Sequence, residues 1–190
     1  DETFDSDRVL DAIVQSDERL PLKGLLLGVK DIINVDQFPT RCGSVLPARL
    51  FNGPQASCAT RLFKAGAVMV GKTVTAEFAV SDPGPTRNPR NLNHTPGGSS
   101  SGSAAAVAAG FCDIALGTQT SGSVIRPAGY CGTFGYKPSF GRVALDGVLP
   151  YSKSMDHIGL FAKDMSTMAA TLPILVTDWR NTKDSLVNKP

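Results

Sequence analysis

The sequence predicts an α/β fold, a parallel or mixed β-sheet covered by α-helices, and three observations carry that expectation. Segments of strand character and of helix character alternate through the middle of the chain. The strand-like segments are short continuous apolar runs, as expected for strands buried on both faces. Among 190 residues, 19 glycines and 13 prolines cluster at places such as Asp82-Pro83-Gly84-Pro85 and Thr95-Pro96-Gly97-Gly98, which marks a loop-rich chain rather than a helical bundle.

Residues 6–20 read as an amphipathic covering helix, with Val9, Leu10, Ile13 and Val14 on one face and Asp7, Arg8, Asp11 and Glu18 on the other. Leu25-Leu26-Leu27-Gly28-Val29 is an apolar run of strand length that ends in Lys30-Asp31, so Lys30 sits at the end of a core strand. A second helix spans 57–65, with Ser57 as N-cap and Gly66 as its stop, and the strand Ala67–Val70 follows. An alanine-rich helix over about 101–109 is stopped by Gly110 and leads into a strand at Asp113–Leu116. There is no internal repeat, coiled coil or charge run.

Composition bounds the rest. With 42% of its residues apolar, the chain supports one core and is read as a single domain over 1–190. A net charge of +2 provides no field to recruit nucleic acid or anionic lipid. Cys42, Cys58, Cys112 and Cys131 form no C-x-x-C pair, so neither a disulfide framework nor a zinc site is expected, and a reducing, cytoplasmic setting is. The longest small-apolar stretch, Ala104–Ala109, is far below a membrane span. The opening Asp1-Glu2-Thr3-Phe4-Asp5 has no signal-peptide character, and its first residue is not methionine, which suggests a start further upstream.

The most informative segment is Gly97-Gly98-Ser99-Ser100-Ser101-Gly102-Ser103. A flexible linker would not run straight into a helix of small residues that must be buried to pack. A phosphate cradle would need Lys and then Ser or Thr after Gly102, where Ser103 and Ala104 stand. Gly98-Ser99-Ser100-Ser101-Gly102 satisfies the G-x-S-x-G nucleophile elbow, with Asp146 and His157 following in hydrolase order. An elbow comes directly off a strand, however, and the preceding Asn91-Leu92-Asn93-His94-Thr95-Pro96 is polar and broken by proline. His94 and His157, the two histidines, read as solvated or structural.

A remaining arrangement pairs this turn with a second, Thr120-Ser121-Gly122-Ser123, which follows the strand ending at Leu116. A serine needs a base, and lysine serves only if burial holds it neutral at working pH. Lys30, at the end of the most apolar strand, is placed for that, whereas the other eight lysines lie mostly in polar or element-terminal contexts.

Taken together, Gly97–Ser103, Gly117-Thr-Gln-Thr-Ser-Gly-Ser123, Arg126-Pro127-Ala128, Phe134-Gly-Tyr-Lys-Pro-Ser-Phe-Gly-Arg142, Gly28-Val-Lys-Asp-Ile32 and Ser154-Met-Asp-His-Ile-Gly159 resemble the amidase signature family. The similarity runs from about Leu22 to Asp164, with the motifs in the family's order. The resemblance implies Ser123 as nucleophile, Ser99 as a bridging serine after a cis peptide from Gly98, and Lys30 as base. It also implies an oxyanion hole from the N–H groups of Thr120, Ser121, Gly122 and Ser123, and a supporting place for Ser100. The implied reaction is hydrolysis of carbon–nitrogen amide bonds through an acyl-enzyme, with no cofactor or metal. The implied partners are a small amide substrate and either a second copy or the remainder of the same polypeptide, with neither nucleic acid nor membrane held directly.

Three departures from the family pattern stand out. Gln119 occupies a position where aspartate is common, Ser121 one where glycine is common, and Arg126 lies one place later than usual, where a structural role bonding backbone carbonyls or a carboxylate is expected. Asp31 and Asp156 are expected to be structural. Family members extend well beyond the position of Pro190, so the chain is expected to be a fragment. Two alternatives remain open: a glutaminase like that of the glutamine-dependent tRNA amidotransferases, and a catalytically silent binding module. The joint presence of Lys30, Ser99 and Ser123 counts against the second.

Overall fold

A computed structural model describes residues 5–180; the opening residues 1–4 and the polar stretch 181–190 lie outside the described part. Five strands form one mixed sheet in the order β2-β1-β3-β5-β4. They are β1 (Leu26–Lys30), β2 (Val68–Thr73), β3 (Ile114–Gln119), β4 (Phe134–Tyr136) and β5 (His157–Ala162). Interior strand β1 runs parallel to both neighbours, with Lys30 opposite Thr73 on β2 and Val29 opposite Leu116 on β3. β5 turns antiparallel, pairing Ile114 with Ala162 at one end and Gln119 with His157 at the other, and short β4 closes on its far side.

The helices are α1 (Ser6–Gln15), α2 (Ser57–Lys64), α3 (Ser101–Ala108), α4 (Ile125–Cys131) and α5 (Met165–Leu175). Leu27, Val29, Leu116, Ile158 and Leu160 pack with Leu62 of α2 and with Met168 and Leu172 of α5. A second apolar cluster joins Ala115 and Phe161 of the sheet to Ala104 and Val107 of α3 and Ala128 of α4. Alternate residues of β3 and β5 therefore feed two cores, one for each face, which is why the first part of β3 reads as a continuous apolar run. Each fully buried Leu or Ile in them contributes about 1.5–3 kcal/mol of burial free energy. Among the described residues, no helix is long and apolar enough to cross a membrane.

Several local expectations change. The first helix ends at Gln15, and its intended apolar face stays largely in solvent, with Leu10 and Val14 exposed. α1 stands off the sheet over a cavity of about 380 Å³ lined by Val9, Ala12, Phe38 and Met69 among others, with the Arg8 guanidinium over the Phe38 ring. Ser57 is the first residue of α2 rather than its cap. The carboxylate of Asp146, 89 positions later, accepts the Ser57 N–H at 3.0 Å and its hydroxyl at 2.6 Å. β2 and β3 each continue three residues beyond their expected ends, to Thr73 and Gln119. In β3 the extra pairs are Gly117–Gly159, Thr118–Ile158 and Gln119–His157, supplied by the antiparallel partner rather than by apolar side chains.

Helix α3 approaches the end of β2 very closely. Its Gly102 N–H donates to the Val74 carbonyl at 2.9 Å, and a Cβ on Gly102 would fall 2.2 Å from the Val74 nitrogen. Ser103 Oγ donates to the Leu116 carbonyl at 2.9 Å and lies 2.7 Å from Thr73 Oγ1. The small residues at the start of α3 thus let its N-terminus dock against the C-terminal ends of the three parallel strands, the end of an α/β sheet where ligands characteristically bind.

Candidate active site

Three segments converge there: the end of β1, the serine loop ahead of α3, and the turn between β3 and α4. Lys30 is fully buried, and its Nζ lies 2.8 Å from Ser99 Oγ and 2.8 Å from Thr118 Oγ1. Burial pushes its pKa down from 10.5 to about 7, with the charge of Asp156 acting in the opposite direction. Lys72 is also largely withdrawn from solvent. The Lys72 side chain is 7% exposed, but its Nζ is 2.9 Å from the Asp31 carboxylate and 2.9 Å from Thr40 Oγ1. Burial also lowers the Lys72 pKa, and Asp31 counteracts it. The two lysines differ in their partners: a carboxylate is bonded to Lys72, whereas two hydroxyls contact the Lys30 nitrogen.

Ser99 follows a cis peptide from Gly98 and is 1% exposed. Its carbonyl accepts the Ala76 N–H at 2.9 Å, and the Gly98 carbonyl accepts Arg126 Nε at 3.1 Å and Nη2 at 2.8 Å. Arg126 therefore has the backbone-bonding role expected of it. Ser100, fully buried, bonds the main chain of Thr118 twice: its Oγ donates to the Thr118 carbonyl at 3.1 Å and accepts the Thr118 N–H at 3.3 Å. These contacts occupy the hydroxyl that a nucleophile elbow would present. Asp146 is the cap of α2, and His157 Nδ1 sits 3.2 Å from the Gln119 carbonyl with its ring against Phe140. The elbow constellation is not assembled.

Ser123 is buried, and its carbonyl accepts the Ser100 N–H at 3.4 Å, which ties the two serine turns together. Among the described residues its Oγ makes no hydrogen bond, to Ser99 or to any other group. The main-chain N–H groups of Thr120, Ser121, Gly122 and Ser123 likewise donate to no protein acceptor among the described residues. Four successive main-chain donors without a protein acceptor therefore lie in the same turn as an unengaged hydroxyl.

Two side chains hold this turn in shape. Gln119 Oε1 accepts the N–H groups of Val124 at 2.9 Å and Ile125 at 3.0 Å, while its Nε2 donates to the Ser121 carbonyl at 3.0 Å. Asp156 accepts from Thr120 Oγ1 at 2.5 Å and from the N–H groups of Tyr151 and Ser152 at 2.8 Å each. Asp156 and Asp31 thus have the structural contacts expected, Asp31 also accepting the Arg41 N–H. Sequence reasoning assigned nothing to Thr118 and gave Gln119 no task. The available signal was the polar pair Thr118-Gln119 continuing an apolar strand straight into a serine-bearing turn. Among the described residues there is no cluster of three or more His, Cys, Asp or Glu side chains that could hold a metal ion, and all four cysteines are buried thiols.

Comparison with known proteins shows the family to which the chain belongs. The family model described as Amidase matches residues 3–190. A glutamyl-tRNA(Gln) amidotransferase subunit from Salinibacter ruber is 41% identical over 190 residues, covering 96% of this chain and 37% of that protein. The subunit of the same name from Deinococcus radiodurans is 44% identical over 168 residues, covering 85% of this chain and 35% of its own length. Native peptide amidase from Stenotrophomonas maltophilia superposes with a TM-score of 0.77 at 36% identity, over 90% of this chain and 38% of that one. The K. lactis urea amidolyase superposes with a TM-score of 0.79 at 31% identity, over 89% of this chain and 11% of that one. The chain thus spans a little over a third of the curated relatives it matches.

Proposed function

The chain belongs to the amidase family, and on that premise we propose that the protein carrying it hydrolyses carbon–nitrogen amide bonds through an acyl-enzyme on Ser123, with Ser99 as proton relay and Lys30 as base. The observation that carries this reading is the buried Lys30 nitrogen held 2.8 Å from Ser99 Oγ with no carboxylate bonded to it.

The chemistry follows from the protonation states. Neutral Lys30 accepts the Ser99 hydroxyl proton as Ser99 accepts that of Ser123, whose oxygen then attacks the amide carbonyl carbon. The charge that develops on the carbonyl oxygen is met by the N–H groups of Thr120, Ser121, Gly122 and Ser123. Loss of one such donor characteristically costs about 3 kcal/mol of barrier. Collapse of the tetrahedral adduct breaks the C–N bond, and the proton held by the relay goes to the departing nitrogen, which leaves as an amine. Water then attacks the ester, gives its proton back through the same relay, and frees Ser123 and a carboxylic acid.

The test is a fluorophosphonate probe, which phosphonylates an activated serine whatever the natural amide. Labelling of wild type, with none of Ser123→Ala, is expected. An unlabelled wild type in the complete folded protein would overturn the proposal.

A second reading inside the same chemistry is favoured by the relatives named as glutamyl-tRNA(Gln) amidotransferase subunits: the acyl donor would be glutamine, and the released ammonia would pass to an acceptor on tRNA. With a net charge of +2, this chain would leave the tRNA to another polypeptide of the complex. Ammonia release from L-glutamine, compared with release from simple aliphatic, aromatic and peptide carboxamides, separates the two.

A further inference from the structure

Lys30 has a second partner that the triad does not use. Thr118 Oγ1 lies 2.8 Å from Nζ, the same separation as Ser99 Oγ, and Thr118 is 6% exposed. Among the described residues this lysine nitrogen is the only group bonded to the Thr118 hydroxyl. The main chain of Thr118 is fixed on both sides: it pairs with Ile158 in the sheet, and its N–H and carbonyl are both bonded by Ser100 Oγ, the residue next to Ser99. A Cβ on the preceding Gly117 would lie 2.9 Å from that same Ser100 Oγ, so the strand is glycine where the serine loop presses on it. A buried hydroxyl with one partner, locked in place by the loop that carries the relay serine, is poorly explained as packing.

A neutral amine has two N–H bonds and a single lone pair, and the relay works only if that lone pair faces Ser99. We propose that Thr118 is the positioning residue for this base: by accepting one Lys30 N–H, its Oγ1 fixes the rotation of the amine so that the lone pair points at the Ser99 hydroxyl. Once Lys30 has taken the proton, the same oxygen accepts from the ammonium, so Thr118 favours the charged form as well as aiming the neutral one. The charged group acting on Lys30 from elsewhere in the fold is Asp156, and substitution of Thr118 leaves it in place.

The inference rests on the Ser99–Lys30 reading, and the experiment separates the two. In the natural polypeptide that carries this sequence, the second-order rate of fluorophosphonate labelling is measured against pH for wild type, Thr118→Val, Thr118→Ser and Lys30→Met. Thr118→Val keeps shape and loses the hydroxyl; it is expected to label about tenfold more slowly on the alkaline plateau, with its acid limb moved down by about one pH unit, because an acceptor for the ammonium is gone. Thr118→Ser restores the hydroxyl and is expected to recover most of the rate and the wild-type limb. Should Thr118→Val not fold, Thr118→Ala carries the same expectation. A valine or alanine variant whose limb does not move, or a serine variant no better than they are, overturns the role given to Thr118 while Lys30→Met stays unlabelled. Lys30→Met labelling like wild type overturns the relay itself and the Thr118 role with it.

Discussion

Lys30 Nζ lies 2.8 Å from Ser99 Oγ across 69 positions of sequence, and the contact is made wholly inside the protein. Lys72, one strand away, is buried almost as deeply but bonded to Asp31. On the proposed reading, the absence of a carboxylate partner is what leaves Lys30, unlike Lys72, available as a base.

The first prediction is a pH profile. In the proposed mechanism Lys30 acts as base only when neutral, and burial pushes its pKa down to about 7. Amide hydrolysis, or labelling of the nucleophile, should therefore rise with pH through about 7 and level off above it. Lys30→Arg, which stays protonated throughout, should be inactive across the range. Rate measurements on wild type and variant check both statements; a profile flat from weakly acid to weakly alkaline pH would contradict them.

The same burial has a consequence for stability. Between about 7 and 10.5 the unfolded chain binds a proton at Lys30 that the native protein does not, so native stability rises with pH across that window through this residue. Below about pH 7 both states hold the proton and the contribution is level. Urea unfolding of wild type and Lys30→Met, compared at the two ends of the window, should show wild type gaining on the variant as pH increases. A difference independent of pH would mean that Lys30 stays charged in the fold.

Gln119 offers a test of how the turn is held. Gln119→Leu removes the acceptor for the N–H groups of Val124 and Ile125 and the donor to the Ser121 carbonyl. Leaving such groups unpaired costs about 1–3 kcal/mol. The variant should unfold at lower denaturant and also label more slowly, because the free N–H groups beside it lose their alignment. Gln119→Glu keeps the acceptor and should fall between the two. Wild-type labelling by Gln119→Leu would show that the turn needs no clamp.

Asp146 should behave in the opposite way. Asp146→Ala removes the cap of α2 and is expected to cost about 1 kcal/mol of stability while labelling stays at the wild-type rate. The bonds from Ser57 hold the Asp146 pKa below its usual 3.8. The cap is therefore intact at neutral pH, and the gap between wild type and variant should close as pH falls through the carboxylate range. Loss of labelling in Asp146→Ala would revive the elbow arrangement that pairs Ser100 with Asp146 and His157.

The sheet and the site were legible in the sequence to different degrees, for physical reasons. β1, α2 and α3 announce themselves through apolar runs or periodicity and through the stops at Gly66 and Gly110, and they fall within a few residues of expectation. Tertiary partners decide the rest. Pro127 and Gly129 interrupt seven-residue α4, β4 has only three residues, and Pro173 lies inside α5, so none carries a strong local signal. The antiparallel partnership of β5 lengthens β3 past its apolar end, and that extension is what brings Thr118 to Lys30. Lys30, Ser99 and Ser123 could be proposed from the sequence because their neighbours form ordered motifs. Thr118 and the Gln119 clamp became visible only with the contacts, since neither residue type is distinctive by itself.

The most direct measurement is peptide mapping of the complete protein after fluorophosphonate labelling at about pH 8, for wild type, Ser123→Ala, Ser99→Ala and Lys30→Met. One adduct on the peptide containing Ser123 in wild type, and none in any of the three variants, is the expected result. An adduct on Ser100 or another serine, or undiminished labelling of Ser123 without Lys30, would contradict the assignment of these residues to a single proton-transfer chain.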